Sequence, residues 1–173
     1  AEEQAAFDVY DANNINPLYG FFVARAGLGA SESMRSKLAE YNDPRLSRAF
    51  ITKQGASGKE QAPGTADNAV YAPNGSPEQG TSKYGTSLFM YSISAPTLLL
   101  SYHELKFLEA EALCRLGRDA KSALKDAVVA GLLNAENSFS VSRKELGKTL
   151  INPASSITDT EAESYFDNTI EAK

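Results

Sequence analysis

The sequence predicts a mainly α-helical protein with a helical hairpin and a long irregular insertion that contains short strands. Two observations lead to this prediction. The stretch SYHELKFLEAEALCRLG, residues 101–117, places apolar residues at helical spacing and ends at a glycine. The preceding residues 51–96 hold six of the twelve glycines and four of the seven prolines, a composition typical of irregular structure.

Composition and charge argue against several classes of protein. The 173 residues are 42% hydrophobic and 23% charged, which is ordinary for a globular protein. The net charge is −5 and no lysine or arginine cluster is present, so nucleic acid is not an expected partner. No apolar run approaches the roughly 18 residues of a membrane-spanning helix. The single cysteine, Cys114, excludes an internal disulfide and a multi-cysteine metal site.

The two ends of the sequence indicate a piece of a longer protein. The chain begins with AEEQ, without an initiator methionine or a signal sequence, and ends with NTIEAK inside a helical pattern. We therefore expect one incomplete domain over residues 1–173, truncated at both ends. Its expected parts are a short helix at 31–42, an irregular insertion at 51–96, a helical hairpin at 97–139 and C-terminal helices at 140–173.

An aromatic cluster precedes the first predicted helix. Residues 14–30, NINPLYGFFVARAGLGA, place Tyr19, Phe21 and Phe22 between Pro17 and Gly27. We interpret this segment as extended or irregular backbone that buries its rings.

The short helix that follows has a start signal and a stop signal. Ser31 is a candidate N-cap, and Met34, Leu38 and Tyr41 share one helical face. The sequence Asn-Asp-Pro at 42–44 ends the helix, because proline disfavours helical backbone in the residue before it.

The insertion contains turn signals and two strand-like runs. NAVYA at 68–72 and SLFMYSI at 87–93 are the strand-like runs, and PNGSP at 73–77 is a turn. So long a connection inside a compact chain is usually functional or disordered.

The helix at 101–117 has two predicted apolar faces. The first consists of Tyr102, Leu105, Leu108, Ala112, Leu113 and Leu116. The second, roughly opposite, consists of Phe107, Ala110 and Cys114. Glu104, Glu111 and Arg115 form a polar stripe between them, in which Glu111 and Arg115 are spaced to pair. A helix with two buried faces belongs in the middle of a stack of helices.

A second helix completes the predicted hairpin. Gly117 fits the position after a helix where a left-handed residue stops it, and Asp119 can cap the next helix. That helix has a face of small residues suited to close packing, namely Ala120, Ala123, Leu124, Ala127 and Val128. Together the two helices are like one tetratricopeptide unit, which cannot bury its apolar faces alone.

Two more helices are predicted beyond Phe139, in SVSRKELGKTL and SSITDTEAESYFDNTI. Thr158 and Glu161 match a capping box, and Tyr165 and Phe166 are expected to anchor the last helix.

No residue pattern indicates catalysis or metal binding. His103 is the only histidine, and a packed structural role is favoured over a catalytic one. Cys114 is expected to be a small buried hydrophobe. Glu104 and Glu111 are interpreted as a solvated stripe rather than a glycosidase pair. Glu109 falls within the first apolar face, so its carboxylate must reach solvent or pair with a cation.

Three sequence blocks together resemble the SusD-like nutrient-binding lipoproteins of the Bacteroidetes outer membrane, in particular the second SusD-like branch of the SusD/RagB superfamily. The blocks are NPLYGFF at 16–22, LAEYNDPRL at 38–46 and SYHELKFLEAEALCRLG at 101–117, which AVVAGLLNAENSF at 127–139 continues. Their order and spacing are similar to those of the family.

The resemblance implies a SusD-like α/α scaffold and a binding protein that is not an enzyme and has no cofactor. Such a protein binds oligo- or polysaccharides, or other nutrients, as a lipoprotein at the outer-membrane surface. It delivers them to a TonB-dependent SusC-like transporter. The alternative is a tetratricopeptide-type protein–protein interaction module without a small-molecule ligand. That alternative accounts for the hairpin but leaves the insertion at 51–96 unexplained.

The insertion supplies the candidate ligand-binding residues Tyr71, Asn74 and Tyr84. A saccharide site needs flat aromatic faces with nearby amides or carboxylates for the hydroxyl groups. Tyr71 and Tyr84 lie beside turn residues, whereas Phe89 and Tyr91 alternate on a strand-like run and favour packing. Ordinary packing within the loop is the alternative that the sequence leaves open for the two candidate tyrosines.

Overall fold

The computed structural model describes eight stretches of the chain, residues 5–7, 9–25, 29–54, 59–61, 71–75, 84–90, 92–146 and 155–171. The α-helices of these stretches are α1 (Pro17–Arg25), α2 (Glu32–Glu40), α3 (Tyr102–Arg115), α4 (Lys121–Leu146) and α5 (Asp159–Tyr165). The strands are β1 (Ala5–Phe7), β2 (Phe50–Gln54), β3 (Lys59–Gln61), β4 (Thr86–Ser87) and β5 (Thr97–Leu100). The predicted mainly α-helical fold with short strands is confirmed.

The predicted helical hairpin is formed by α3 and α4, which pack against each other. Ser101 caps α3 in a reciprocal capping box with Glu104, which the sequence reasoning missed. Gly117 has the predicted left-handed backbone, with φ at 68°. The carboxylate of Asp119 accepts a hydrogen bond from the Lys121 backbone amide at 2.9 Å, at the beginning of α4.

Small residues of both hairpin helices are buried. Ala123 and Ala127 of α4 are buried, and Ala110 is the buried residue of α3. The side chains of α3 that are buried or half-buried are Tyr102, His103, Lys106, Ala110 and Leu113. Their spacing places them on one helical face, because residues three to four positions apart lie above one another.

The prediction that α3 buries two apolar faces is wrong for the described part of the chain. Leu105, Leu108 and Leu116 are all more than half exposed, and Leu116 is 70% exposed. Cys114 is also exposed rather than buried. The physical reason is that α4 covers only the stripe centred on Lys106 and Ala110, and the remaining leucines point away from it.

The predicted break between the hairpin and a separate helix after Phe139 is also wrong. Helix α4 continues without interruption to Leu146 and includes the residues SVSRKEL. No glycine or proline occurs between residues 132 and 146, so nothing in the local sequence stops the helix. The rest of that predicted helix, residues 147–150, lies outside the described residues.

Residues 17–25 form helix α1, so the prediction of an extended or irregular segment there is wrong. The side-chain oxygen of Asn16 accepts a hydrogen bond from the Leu18 backbone amide at 2.8 Å, and Pro17 occupies the first helical position. Asparagine followed by proline is therefore a helix start that the sequence reasoning overlooked. Phe21 is 52% exposed and is not a buried ring. The Phe22 side chain and Gly27 lie outside the described residues.

Short antiparallel sheets form the described part of the insertion. Strand β2 pairs with β3 on one side and with β4 on the other. Strand β5, directly before α3, pairs with β1 near the beginning of the chain. Among the described residues of the predicted run at 87–93, only Ser87 belongs to a strand, and Leu88–Met90 form a 3₁₀-helix. In the predicted run at 68–72, Ala72 makes a single β-bridge with Ser31. Residues 68–70 and Tyr91 of the two runs, and residues 76–77 of the predicted turn, lie outside the described residues.

The main apolar core joins α2, β2, the 3₁₀-helix and the middle of α4. Phe139 is fully buried, and its ring contacts that of Phe89 edge-on at a centroid distance of 4.5 Å. The carboxylate of Glu145 accepts hydrogen bonds from the Ser92 hydroxyl and the Ile93 amide, both at 2.8 Å. These contacts attach the returning end of the insertion to the C-terminal part of α4.

A second, smaller core lies between α4 and α5. Ile157 and Ala162 are buried against Leu132 of α4. Thr158 accepts a hydrogen bond from the Glu161 amide at 3.2 Å, which confirms the Thr158 half of the predicted capping box. The Glu161 carboxylate pairs with Arg48 at 3.0 Å. Phe166 is buried in a π-helical turn that follows α5, as the anchoring prediction required.

Candidate functional site

Three segments meet at the N-terminal end of α2, and two of them come from the insertion. The Ala30 amide donates to the Gly85 carbonyl at 2.8 Å, and the Ala72 amide donates to the Ala30 carbonyl at the same distance. The Glu32 amide in turn donates to the Ala72 carbonyl at 3.0 Å. Ala72 and Gly85 are thus the insertion residues that pair with residues 30–32. The candidate ligand residues lie close to them in the sequence, because Tyr71 precedes Ala72, Asn74 follows it by two positions and Tyr84 precedes Gly85. We call this region the α2 start surface.

Asn74 is held on the α2 start surface by its own side chain. Its amide nitrogen donates to the Ser33 hydroxyl at 2.7 Å, and its amide oxygen accepts from the Ser31 hydroxyl at 3.3 Å. Gly75 follows with φ at 75°, a left-handed backbone that favours glycine. Asn74, Ser31 and Ser33 therefore form a small network of amide and hydroxyl groups, in which Asn74 and Ser33 are exposed.

Tyr71 lies between the core and the α2 start surface. Its half-buried ring packs edge-on against Phe50, with a centroid distance of 5.4 Å and an interplanar angle of 87°. The Arg35 guanidinium lies 5.9 Å from the centroid of the same ring. Burial raises the pKa of the Tyr71 hydroxyl, although the positive charge of Arg35 opposes the shift, so the hydroxyl stays protonated at neutral pH.

Tyr84 is buried more deeply than the other two candidates. It is 5% exposed, so its ring faces are covered by protein in this structure. The α2 start surface therefore presents the exposed Asn74 and the half-buried Tyr71, while Tyr84 is buried. The assignment of these three residues to a ligand site stays a prediction.

An apolar cleft of about 240 Å³ opens beside the α2 start surface. It lies between α2 and β2, and its walls include Ser31, Met34, Phe50 and Phe89. Met34 and Phe89 are both exposed, although Met34 lies on the predicted apolar face of α2 with the buried Leu38. The sequence favoured packing over ligand contact for Phe89 and placed Met34 on an apolar helical face, because alternating or periodic apolar residues usually indicate core packing.

The acidic residues of α3 have structural partners. Glu104 belongs to the capping box, and Glu111 pairs with Arg115 at 2.6 Å, as their spacing predicted. Glu109 pairs with Lys106 at 2.9 Å, which is the cation that the sequence left unidentified. The ammonium of Lys106 also lies 3.4 Å from Asp126 of α4 and so connects the two helices.

His103 is packed within the hairpin. One ring nitrogen lies 3.2 Å from the Ser101 hydroxyl, and the ring faces Gly131 of α4. Burial lowers the pKa of the imidazole, and nearby Glu104 opposes that shift. The ring therefore has the packed, neutral environment that a structural histidine requires.

Two structural features are absent from the described residues. No helix there combines the length and the apolar character that crossing a membrane requires. Within the same ranges, no group of three or more histidine, cysteine, aspartate or glutamate side chains is placed to hold a metal ion.

Comparison with protein families gives one match over most of the chain. Residues 1–141 match the SusD-like family described as starch-binding proteins associating with the outer membrane. No curated protein matches the chain.

Two crystal structures are similar to the chain. A SusD/RagB family protein from Bacteroides thetaiotaomicron VPI-5482 is 60% identical, with a TM-score of 0.89 over 98% of this chain. The matched region is 36% of that protein's length, so the 173 residues correspond to little more than a third of it. A SusD homologue from Bacteroides vulgatus ATCC 8482 is 25% identical over 81% of this chain and 27% of its own, with a TM-score of 0.46.

Proposed function

The chain belongs to the SusD-like family of starch-binding proteins that associate with the outer membrane, and from this premise we propose that its full-length protein binds glycans without cleaving them. The ligand is an oligo- or polysaccharide or a related nutrient. The match to the family over residues 1–141 is the observation that carries the proposal.

The α2 start surface supports this proposal and provides candidate contacts. Asn74 can exchange its exposed hydrogen bonds for bonds to sugar hydroxyls, because amide groups both donate and accept. Tyr71 offers a protonated hydroxyl and part of an aromatic ring beside it. We assign contact with the ligand to Asn74 and Tyr71. We assign to the buried Tyr84 a packing role that stabilises the loop.

We further propose that the full-length protein is a surface lipoprotein that delivers its ligand to a TonB-dependent SusC-like transporter. Membership of a family that associates with the outer membrane supports this location. Co-purification of the full-length protein with a TonB-dependent transporter from solubilised outer membranes tests the partnership. The proposed anchor requires an N-terminal secretion signal whose cleavage leaves an acylated cysteine as the first residue of the mature protein.

The binding experiment uses the full-length protein in native gels that contain starch or another polysaccharide. Retardation of the wild-type protein by at least one neutral polysaccharide is the expected result. Asn74→Ala is expected to weaken binding about fivefold, which corresponds to the roughly 1 kcal/mol of one lost hydrogen bond. Asn13→Ala is the matched control, because Asn13 is exposed and lies outside the α2 start surface.

Three results would separate the alternatives. Equal retardation of wild-type protein and both variants would remove Asn74 from the site but keep the function. No binding to any polysaccharide would contradict the proposed function. Co-purification with a soluble protein instead of a transporter would then favour the interaction module that the hairpin also resembles.

A further inference from the structure

A second cleft lies at the opposite end of α2 from the α2 start surface. Its volume is about 520 Å³, within the range of about 300 to 1,000 Å³ that is typical of small-molecule sites. One wall is the segment at 42–48 that follows α2, and the other is α5 with the π-helical turn after it. We call it the α2–α5 cleft.

The charged groups around the α2–α5 cleft neutralise one another. The Arg48 guanidinium lies 3.0 Å from the Glu161 carboxylate and also donates to the Pro44 carbonyl at 2.8 Å. Asp43 is engaged by two nitrogens of Arg45, at 2.6 and 2.9 Å. Because each charge already has an opposite partner, an ionic ligand would find no unpaired charge to bind in this cleft. It would also lose its own hydration, a cost that a neutral ligand avoids.

Arg48 is held rigidly as part of the cleft wall. Its side chain is almost fully buried, and another of its nitrogens donates to the Ser155 carbonyl at 2.7 Å. The partner carboxylate of Glu161 is 38% exposed, so it can still accept a hydrogen bond from the cleft side. A fixed donor beside an accessible acceptor is a suitable pair for neighbouring hydroxyl groups.

Several uncharged polar groups of the cleft make no hydrogen bond to other residues of the described ranges. They are the side-chain amide of Asn42 and the hydroxyls of Ser47 and Thr169. Asn168 uses its amide nitrogen within its own helical turn, through bonds of 2.9 Å to Ser164, and its amide oxygen remains an acceptor. Amides and hydroxyls that both donate and accept match the hydroxyls of a sugar.

Tyr165 and Pro44 give the cleft an apolar component. The Tyr165 ring is half-buried, and its hydroxyl lies near the Asp43 carboxylate. Burial and the nearby Asp43 carboxylate raise the pKa of this hydroxyl to about 12, so the side chain is uncharged at neutral pH. An aromatic ring and a proline ring beside hydroxyl and amide groups form the kind of mixed surface that suits a pyranose.

We propose that the α2–α5 cleft is a second binding site for one neutral saccharide unit, separate from the α2 start surface. The inference deepens the proposed function and rests on it, because it assigns a further subsite to the same binding protein. The two sites lie at opposite ends of a nine-residue helix, which is about 13 Å long. The cleft residues that contact the ligand are Asn42, Ser47, Glu161 and Asn168.

The test measures saccharide binding to the full-length protein by isothermal titration calorimetry. The probes are maltotriose, cellotriose and mannotriose in separate titrations. Ser47→Trp places an indole in the cleft and is expected to weaken binding of the preferred probe at least tenfold. Asn42→Gly removes one amide and is expected to weaken it about fivefold. Glycine accepts the φ of 50° at this position, so the helix end is preserved.

A control variant and the polysaccharide gels separate the second site from the first. Asn13→Ala, outside both sites, is expected to leave the affinity unchanged. A wild-type affinity in both Ser47→Trp and Asn42→Gly would overturn the second site. Retardation in the polysaccharide gels that still depends on Asn74 would then leave the proposed function intact. Failure of every probe and every polysaccharide with the wild-type protein would overturn both.

Chemical labelling shows whether the cleft is open in the full-length protein. Ser164→Cys is combined with Cys114→Ser, because Cys114 is exposed and would also react. Maleimide is expected to label Cys at position 164, and a saturating concentration of the preferred probe is expected to slow labelling at least threefold. A cysteine that stays unlabelled without saccharide would show that the cleft is covered, and the proposal would be wrong.

Discussion

The same substitution, glycine to alanine, is expected to have opposite effects at two positions in the hairpin. Gly117 ends α3 with φ at 68°, and an added Cβ would meet nothing within 4 Å. Gly131 lies inside α4, and an added Cβ would lie 3.8 to 3.9 Å from the His103 ring. The first site therefore has space but an unfavourable backbone, whereas the second has a favourable backbone and ordinary van der Waals contact.

The magnitudes follow from these two environments. Gly117→Ala is expected to lower the free energy of unfolding by about 1 kcal/mol, because an L-residue is strained in the left-handed region. Gly131→Ala is expected to raise it by about 0.8 kcal/mol, because alanine is favoured over glycine within a helix. The two variants should thus differ by about 1.8 kcal/mol, and the double variant should lie close to the wild type if the sites are independent.

Urea unfolding at pH 7, followed by far-ultraviolet circular dichroism, measures the free energies of all four proteins. The melting temperatures of the four proteins should fall in the same order, with a shift of about 2 to 4 °C for each kcal/mol of unfolding free energy. A stabilising effect of Gly117→Ala would contradict the left-handed helix end. A destabilising effect of Gly131→Ala would contradict the separation of 3.8 to 3.9 Å between an added Cβ and the His103 ring.

Two more perturbations address the core and a half-buried titratable group. Phe139→Ala should lower the free energy of unfolding by about 3 to 5 kcal/mol, because it removes a fully buried ring packed against Phe89; a loss below about 1 kcal/mol in urea unfolding would show that the ring is not buried. His103 has a pKa lowered by burial, so the stability that depends on its neutral form is present above pH 6.5 and decreases as the pH falls below that value. The single histidine ring signal in an NMR titration should report a pKa below 6.5, and His103→Gln should flatten the decrease in stability; a pKa at or above 6.5 would refute the packed environment.

Local signals explain why part of the fold could be predicted. The end of α3 at Gly117 and the caps at Ser31 and Thr158 depend on the backbone preferences and hydrogen bonds of neighbouring residues. The pairing of Glu111 with Arg115 depends only on helical spacing. Such features involve residues close together in sequence, and they are therefore visible in the sequence itself.

The candidate site was predictable only in outline. The sequence placed Tyr71, Asn74 and Tyr84 in an irregular insertion, but it could not show that all three come together at the beginning of α2. That arrangement depends on backbone bonds from Ala30 to the two insertion segments. The α2–α5 cleft was not predicted at all, since its walls are separated by more than a hundred residues.

The sequence by itself determined the helical hairpin, its turn and the resemblance to SusD-like proteins, because these depend on short patterns and local conformational preferences. Only the tertiary structure decided which side chains are covered. Leu116 and Cys114 have the spacing of buried residues but lie away from α4, while Tyr84 lies in a turn-rich loop and is buried. Burial depends on which distant segment packs against a face, and no local pattern specifies that segment.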